Sequence, residues 1–223
     1  MADKKKFPNP AFFRARTEMD WKAQAANLKE VGSIALELIK ETDWKAFGKK
    51  QKNALYQLID PFSLFHLRFI EPEPNPDPHA WSTGISSQAK DAWAGLAFER
   101  VCLLHAEALK RALGISGVKT SVCSWHHRAD ADYGKGAQID LLIDRADNVI
   151  NVCEMKFATG TYLLRKAEFE RINNRIQAFK AVTETPKSVY LTIVTTNGLE
   201  DNEYARQAQN VILLDQLFWA ITE

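Results

Sequence analysis

Two runs decide the fold: Gly136-Ala137-Gln138-Ile139-Asp140-Leu141-Leu142-Ile143-Asp144-Arg145 and Val152-Cys153-Glu154-Met155-Lys156-Phe157. Their composition and alternation predict strands over 137–144 and 149–157, joined by a tight turn through Arg145-Ala146-Asp147-Asn148. Side chains two apart on a strand share a face, so Glu154 and Lys156 project together. On the first strand, Gln138, Asp140, Leu142 and Asp144 share one face and Ile139, Leu141 and Ile143 the other. The second set is wholly aliphatic and belongs in a core. Asp140 is left on the opposite face, placed to meet Glu154 across an antiparallel pair where the register permits.

Working outward, a helix is expected over 93–113, with Ala97, Val101, Leu104 and Ala108 on one face and Gly114 as its stop. Val118 to Trp125 suits a strand, and the polar stretch from His126 to Gly136 a loop or wide hairpin tip. After the break at Thr159-Gly160, the alignment of Phe169, Ile172, Ile176 and Phe179 predicts a helix over 163–182. Ser188 to Thr195 reads as a strand buried on both faces. A short strand over 211–214 and a terminal helix finish the chain. The order is α-β-β-β-α-β, an α/β domain with a mixed central sheet. Its third and fourth strands are made parallel by the helical crossover between them.

Upstream, proline occupies every second position of Glu71-Pro72-Glu73-Pro74-Asn75-Pro76-Asp77-Pro78. Proline fixes φ and restricts its predecessor to extended conformations, so this is an extended linker. It divides the chain into a helical segment with linker over 1–79 and the α/β domain over 80–223. In the first part, Leu28, Val31, Ala35, Leu38 and Ile39 recur at helical spacing, and 54–59 suits a short strand. Asp60-Pro61 resembles an N-cap followed by proline in the first turn. The helix it opens is crowded with Phe62, Leu64, Phe65, Leu67 and Phe69, too many large apolar groups for one face. It is expected to pack on the rest of the chain, on a second copy or on another subunit.

Of 223 residues 46% are hydrophobic and 26% charged, as in ordinary globular proteins. The net charge of +1, from 29 basic and 28 acidic residues, does not advertise a nucleic-acid binder, so any such surface must be local. Cys102, Cys123 and Cys153 lie in apolar runs without a CxxC pair, which argues for buried thiols rather than a zinc or redox motif. The start MADKKKFPNP lacks the apolar stretch of a secretory signal, and no run is apolar over the roughly 18 residues of a membrane span. A cytoplasmic protein without membrane association is expected.

Two carboxylates and a lysine on one sheet face make a site for a hard divalent cation, Mg²⁺ or Mn²⁺. Asp140, Glu154 and the backbone carbonyl of Met155 are the expected metal ligands. Lys156 is placed to orient or deprotonate a metal-bound water, or to stabilise a pentavalent transition state. Glu99, on the first helix, is placed to complete the outer coordination. Gln138, Arg165, Lys166, Arg171 and Arg175 are candidate contacts to a phosphate backbone. A Glu-x-Lys triplet on an exposed strand is ordinarily a solvated face. What gives this one weight is its place, after an Asp on the neighbouring strand and before a glycine break and a helix.

These two runs resemble the motif pair of the PD-(D/E)XK nucleases. More narrowly, they resemble the nuclease-like domain at the C-terminus of prokaryotic AAA-type ATPases of the archaeal-ATPase group. Further similar pieces are Trp93-Ala94-Gly95-Leu96-Ala97-Phe98-Glu99, Ala112-Leu113-Gly114-Ile115 and Thr195-Thr196-Asn197-Gly198-Leu199. Tyr56-Gln57-Leu58-Ile59-Asp60-Pro61-Phe62-Ser63-Leu64-Phe65 looks like the end of the winged helix preceding that domain. The resemblance runs from about Lys45 to the end. It implies a restriction-endonuclease-like αβββαβ core and Mg²⁺-dependent hydrolysis of DNA, or a catalytically silent domain binding nucleic acid or a partner. By it, Asp140 and Glu154 are metal ligands, Lys156 the catalytic lysine and Glu99 the helix-borne acid. A homo-oligomer or a separate ATPase subunit is the implied protein partner. The departure is that no GxxxxGK[ST] phosphate loop is present, so this chain is not itself the ATPase.

Other constellations weigh less. Adjacent His126 and His127 point to opposite faces of a strand, and with Asp130 and Asp132 they read as a solvated loop rather than a metal site. Ser124 and His126 lack the elbow of a serine hydrolase. Trp81, Trp93 and Trp125 read as packing residues.

Overall fold

The computed structural model describes residues 39–42, 45–46, 55–58, 61–71, 79, 81–82, 87–127 and 136–218. The expected helix over 28–38, the proline-rich linker over 72–78, Asp130, Asp132 and the terminal helix beyond 218 lie outside them. Two compact units are present, Met1–Trp44 with Gln51–Ala89, and Lys45–Lys50 with Lys90–Glu223.

In the first unit, β1 (Ile39–Thr42) pairs antiparallel with β3 (Leu55–Leu58), Ile39 opposite Leu58. Ile39 therefore opens a strand, where helical spacing had placed it in a helix; four-residue periodicity is a weak signal against cross-strand pairing. Helix α1 (Pro61–Phe65) begins on the expected proline and continues as a π-helical turn, His66–Ile70. Leu64 and Leu67 are buried while Phe62 is 67% exposed. The rings of Phe65 and Phe69 pack on Trp81 at 5.2 and 5.5 Å.

The second unit is a mixed α/β assembly. Helices α2 (Ser87–Leu104) and α3 (Ala106–Ala112) precede β4 (Thr120–His127), β5 (Ala137–Arg145) and β6 (Val149–Lys156). Helix α4 (Lys166–Thr183), β7 (Ser188–Thr195) and β8 (Asn210–Leu213) follow. The five strands β4–β8 form a mixed sheet in sequence order, with β2 (Lys45–Ala46) parallel to β4 at one edge. Strands β4, β5 and β6 are an antiparallel meander; β6, β7 and β8 run parallel. Parallel neighbours need a long crossover, and between β6 and β7 α4 supplies it. A 3₁₀ turn, Leu214–Leu217, stands where the terminal helix was expected to begin.

The expected first helix begins six residues earlier, at Ser87, and breaks at His105, whose Nδ1 lies 2.8 Å from the Val101 carbonyl. His105 N still donates to the Val101 carbonyl at 3.0 Å and also reaches the Cys102 carbonyl at 3.2 Å, but its backbone leaves helical geometry at φ −105° and ψ 32°, and the break rephases the buried stripe. Phe98, Cys102, Ala108 and Leu109 are buried and Leu104 is exposed, not the Ala97–Val101–Leu104–Ala108 face read from spacing. Gly114 ends α3 at φ 68°, a conformation open to glycine without a Cβ penalty.

Between the sheet and α4 lies the core: Trp125, Ile139, Leu142, Ile150, Val152, Leu191 and Ile193 meet Ile172, Ile176 and Phe179. Burying each such aliphatic side chain stabilises the fold by roughly 1.5–3 kcal/mol. Trp125 packs edge-on against Phe179 at 5.4 Å, a packing role as expected. Among the described residues no helix is long and apolar enough to cross a membrane.

Candidate functional site

Regular alternation fails at one place on β5. Cys123 is opposite Leu142 and Trp125 opposite Ile139, so Asp140 and Leu141 together face the single residue Ser124. An extra residue in one strand is a β-bulge, and it shifts the phase of alternation. Ile139 and Leu142 consequently both join the α4-side core, which corrects the grouping of Ile139 with Leu141 and Ile143.

The β5–β6 ladder runs from Asp144 opposite Ile150 to Leu141 opposite Cys153. One further step of that register is the level of Asp140 and Glu154, and the ladder stops short of it, at the bulge. Asp140 Oδ1 accepts a hydrogen bond from Gln138 Nε2 at 2.5 Å, two residues back on the same strand. Asp144, the other acid of the run, is bonded by Lys187 Nζ at 2.5 Å, and Lys187 also reaches the Arg145 carbonyl at 2.7 Å. That pair ties β5 to the segment before β7 and gives Asp144 a structural partner.

Glu154 and Lys156 share a face with Ile150 and Val152, toward α4. There they enter a chain of ionic contacts. Lys156 Nζ lies 2.9 Å from Glu154 Oε1 and 2.9 Å from Glu168 Oε1, on the first turn of α4. Arg175 Nη2, further along α4, is 2.8 Å from Glu154 Oε2. The Tyr162 hydroxyl donates to Glu168 Oε2. Glu154 is the most enclosed ion, its side chain 13% exposed against 26% for Lys156 and 31% for Arg175.

Burial disfavours the charge on Lys156, but the Glu154 and Glu168 carboxylates outweigh it and hold the ammonium above the ordinary lysine range. Burial likewise opposes the charge on Glu168; the Tyr162 hydroxyl and Lys156 overcome it and hold the carboxyl below its ordinary range. Tyr162 is pushed far up, by burial and by the carboxylate it bonds.

The loop bearing Tyr162 is pinned at the carboxyl ends of the parallel strands. Tyr162 N donates to the Gly198 carbonyl at 2.8 Å, and Glu200 N to the Tyr162 carbonyl at 2.9 Å. Gly198 sits at φ 108°, where a side chain would be strained. Ala158 N donates to Thr196 Oγ1 at 3.0 Å, and Asn197 Nδ2 to the Ala158 carbonyl at 2.9 Å.

Of the expected residues, the structure thus gathers Glu154, Lys156 and Arg175, and keeps Asp140 with Gln138. Arg165, Lys166 and Arg171 are exposed at and beyond the start of α4, and Lys166 lies 3.9 Å from Glu170. Glu99 lies on α2 beside Cys102, whose thiol is pushed up to about 12 by burial and then by the Glu99 charge. Glu168 and Tyr162 were not anticipated. A carboxylate in the first turn of the helix following Glu-x-Lys was the available signal, since an acid is favoured at a helix N-terminus and faces back toward the preceding strand.

Asp140, Glu154 and the Met155 carbonyl have the hard oxygen chemistry that Mg²⁺ takes, and Mg²⁺ needs only one or two carboxylates. In donor type the residues fit such an ion. Among the described residues, however, no three His, Cys, Asp or Glu side chains are gathered around one point, and each Glu154 oxygen already contacts a cation. Comparison of the chain with known protein families, curated proteins and solved structures finds no match.

Proposed function

We propose that the second unit is a PD-(D/E)XK nuclease-type domain with a restriction-endonuclease-like core, hydrolysing phosphodiester bonds of DNA with Mg²⁺ or Mn²⁺. The observation that carries this reading is the placement of Glu154 and Lys156. They end a central strand, beside the strand of Asp140 and before a helical crossover to a parallel strand. Ligands of open α/β sheets bind beyond the carboxyl ends of parallel strands, which is where this charge network lies. Asp140, Glu154 and the Met155 carbonyl would hold the ion, which when bound lowers the pKa of water and offsets phosphate charge.

The chain's own groups do the rest. Lys156, anchored between two carboxylates, presents its ammonium where negative charge develops on a phosphate. Glu168 positions Lys156, and Tyr162 positions Glu168. Arg165, Lys166 and Arg171 supply exposed positive charge for the phosphate backbone despite the near-neutral chain. Glu99 is the acid on the helix side of this reading. The test incubates plasmid, linear and branched DNA with Mn²⁺ and wild type, Lys156→Ala or Glu154→Gln protein. Cutting by wild type alone is expected; equal cutting by all three places the activity elsewhere.

A catalytically silent domain that binds nucleic acid or a partner protein is the second reading. The pairing of both Glu154 oxygens with cations favours it, because such a network is self-sufficient without a metal. Duplex binding with no cutting by wild type on any substrate selects it.

A further inference from the structure

Glu154 is bracketed by two cations whose situations differ. Lys156 is shared with Glu168 and keeps a carboxylate partner if Glu154 is drawn away. Arg175 is not shared: among the described residues its ion pair is with Glu154 alone. Both Glu154 oxygens are held by cations, so a divalent ion arriving at Glu154 has to compete with Lys156 or Arg175 for an oxygen. Arg175 is the more exposed cation, and its long side chain hinges on the surface of α4, whereas Lys156 is anchored on the strand. A guanidinium losing a carboxylate finds its best replacement in another planar or tetrahedral oxyanion, and phosphate matches its fork of donors.

We propose that Arg175 is a switchable counter-ion: a divalent cation displaces it from Glu154, and the freed guanidinium then binds a phosphate of the DNA backbone. The inference rests on the nuclease-type reading and gives it a residue that links two ligands. Metal and phosphate then favour each other, because whichever binds first removes the pair that the other must break.

Calorimetric titration of the full chain with Mn²⁺, and titration of a labelled short DNA duplex in Ca²⁺, a cation taking the same oxygen ligands, test it. Arg175→Gln should bind Mn²⁺ roughly fivefold tighter, the scale of a partly exposed ion pair that no longer has to be broken. The same variant should bind the duplex roughly tenfold more weakly, having lost a charged phosphate contact. Arg175→Lys, which preserves the charge, should fall between wild type and Arg175→Gln in both titrations. The opposite signs are the signature. Unchanged Mn²⁺ affinity in Arg175→Gln, with binding heat that Glu154→Gln abolishes, overturns the displacement and leaves the nuclease-type reading standing. Weaker binding of both ligands makes Arg175 a positioning residue and overturns it as well. No Mn²⁺ binding to wild type or Arg175→Gln overturns both this inference and the metal-dependent reading.

Discussion

Asn151 and Glu154 lie three residues apart on β6 and project to opposite sides of the sheet. Asn151 is fully buried; its Nδ2 donates to Thr192 Oγ1 at 3.1 Å, and Asn210 Nδ2 donates to the same hydroxyl at 3.4 Å. Three neighbouring parallel strands are thus stitched by neutral groups, and the other end of the Asn151 amide, Oδ1, accepts from Arg145 Nη1 at 3.4 Å. Glu154 instead faces α4 with partial access to water, between Lys156 and Arg175. A buried neutral amide has few alternatives to its partner, so it fixes register. Partly solvated ions exchange partners at low cost, so they can serve a ligand. Polarity inside this sheet is structural on one face and available for chemistry on the other.

The largest effect expected to separate the two sides is on rate. Lys156→Ala should lower DNA cleavage by about 10²–10⁴-fold while the circular dichroism spectrum stays that of wild type. Asn151→Ala should leave the rate per folded molecule unchanged. A rate that follows Asn151 as closely as Lys156 would break the distinction.

Next in size is stability. Asn151→Ala should destabilise by about 1–3 kcal/mol in urea melts, because the Thr192 hydroxyl is left short of a buried partner. The double variant Asn151→Leu with Thr192→Val should cost less than the sum of the two single changes, since each single change leaves the other member of the pair short of its partner. Full additivity would mean that the two side chains do not act as a pair.

Asp140 tests whether the bulge withholds it from the site. Asp140→Asn keeps shape and loses charge, and should remove most of the heat of Mn²⁺ binding, leaving affinity at least about tenfold weaker. An unchanged titration would remove Asp140 from the ligand set and leave it as the acceptor of Gln138.

The smallest effect is a pH dependence. Glu168 is held below its ordinary value of 4.5, so its contribution to stability is present above that value. That contribution is lost as pH falls through the lower, folded value. The stability gap between wild type and Glu168→Gln should therefore shrink as pH falls below 4.5. A gap that widens on acidification contradicts the ionic anchoring of Lys156.

Much of the second unit was legible because its strands are long and apolar. Ser188–Thr195 has the expected bounds, and the aligned Ile172, Ile176 and Phe179 are the buried stripe of α4. Those signals are local, since a stripe of the right period buries itself wherever an apolar surface is offered. The break at His105 was not legible, because one residue leaves helical geometry there, at φ −105° and ψ 32°, with no glycine or proline to mark it. In the first unit, Ile39 fitted a helical spacing and was taken by a partner strand.

The sequence by itself determined the α-β-β-β-α-β order downstream of the proline-rich stretch, the pairing of the Asp140 strand with the Glu154 strand, and the common face of Glu154 and Lys156. Each follows from period, turn chemistry and chain connectivity. Only the tertiary structure decided which charges meet. The bulge opposite Ser124 takes Asp140 out of the simple alternation, and α4 brings Glu168 and Arg175 onto a strand that lies distant in sequence. Charges at long range in the chain are joined by packing angle and strand register, and neither is encoded in the spacing of the residues that carry them.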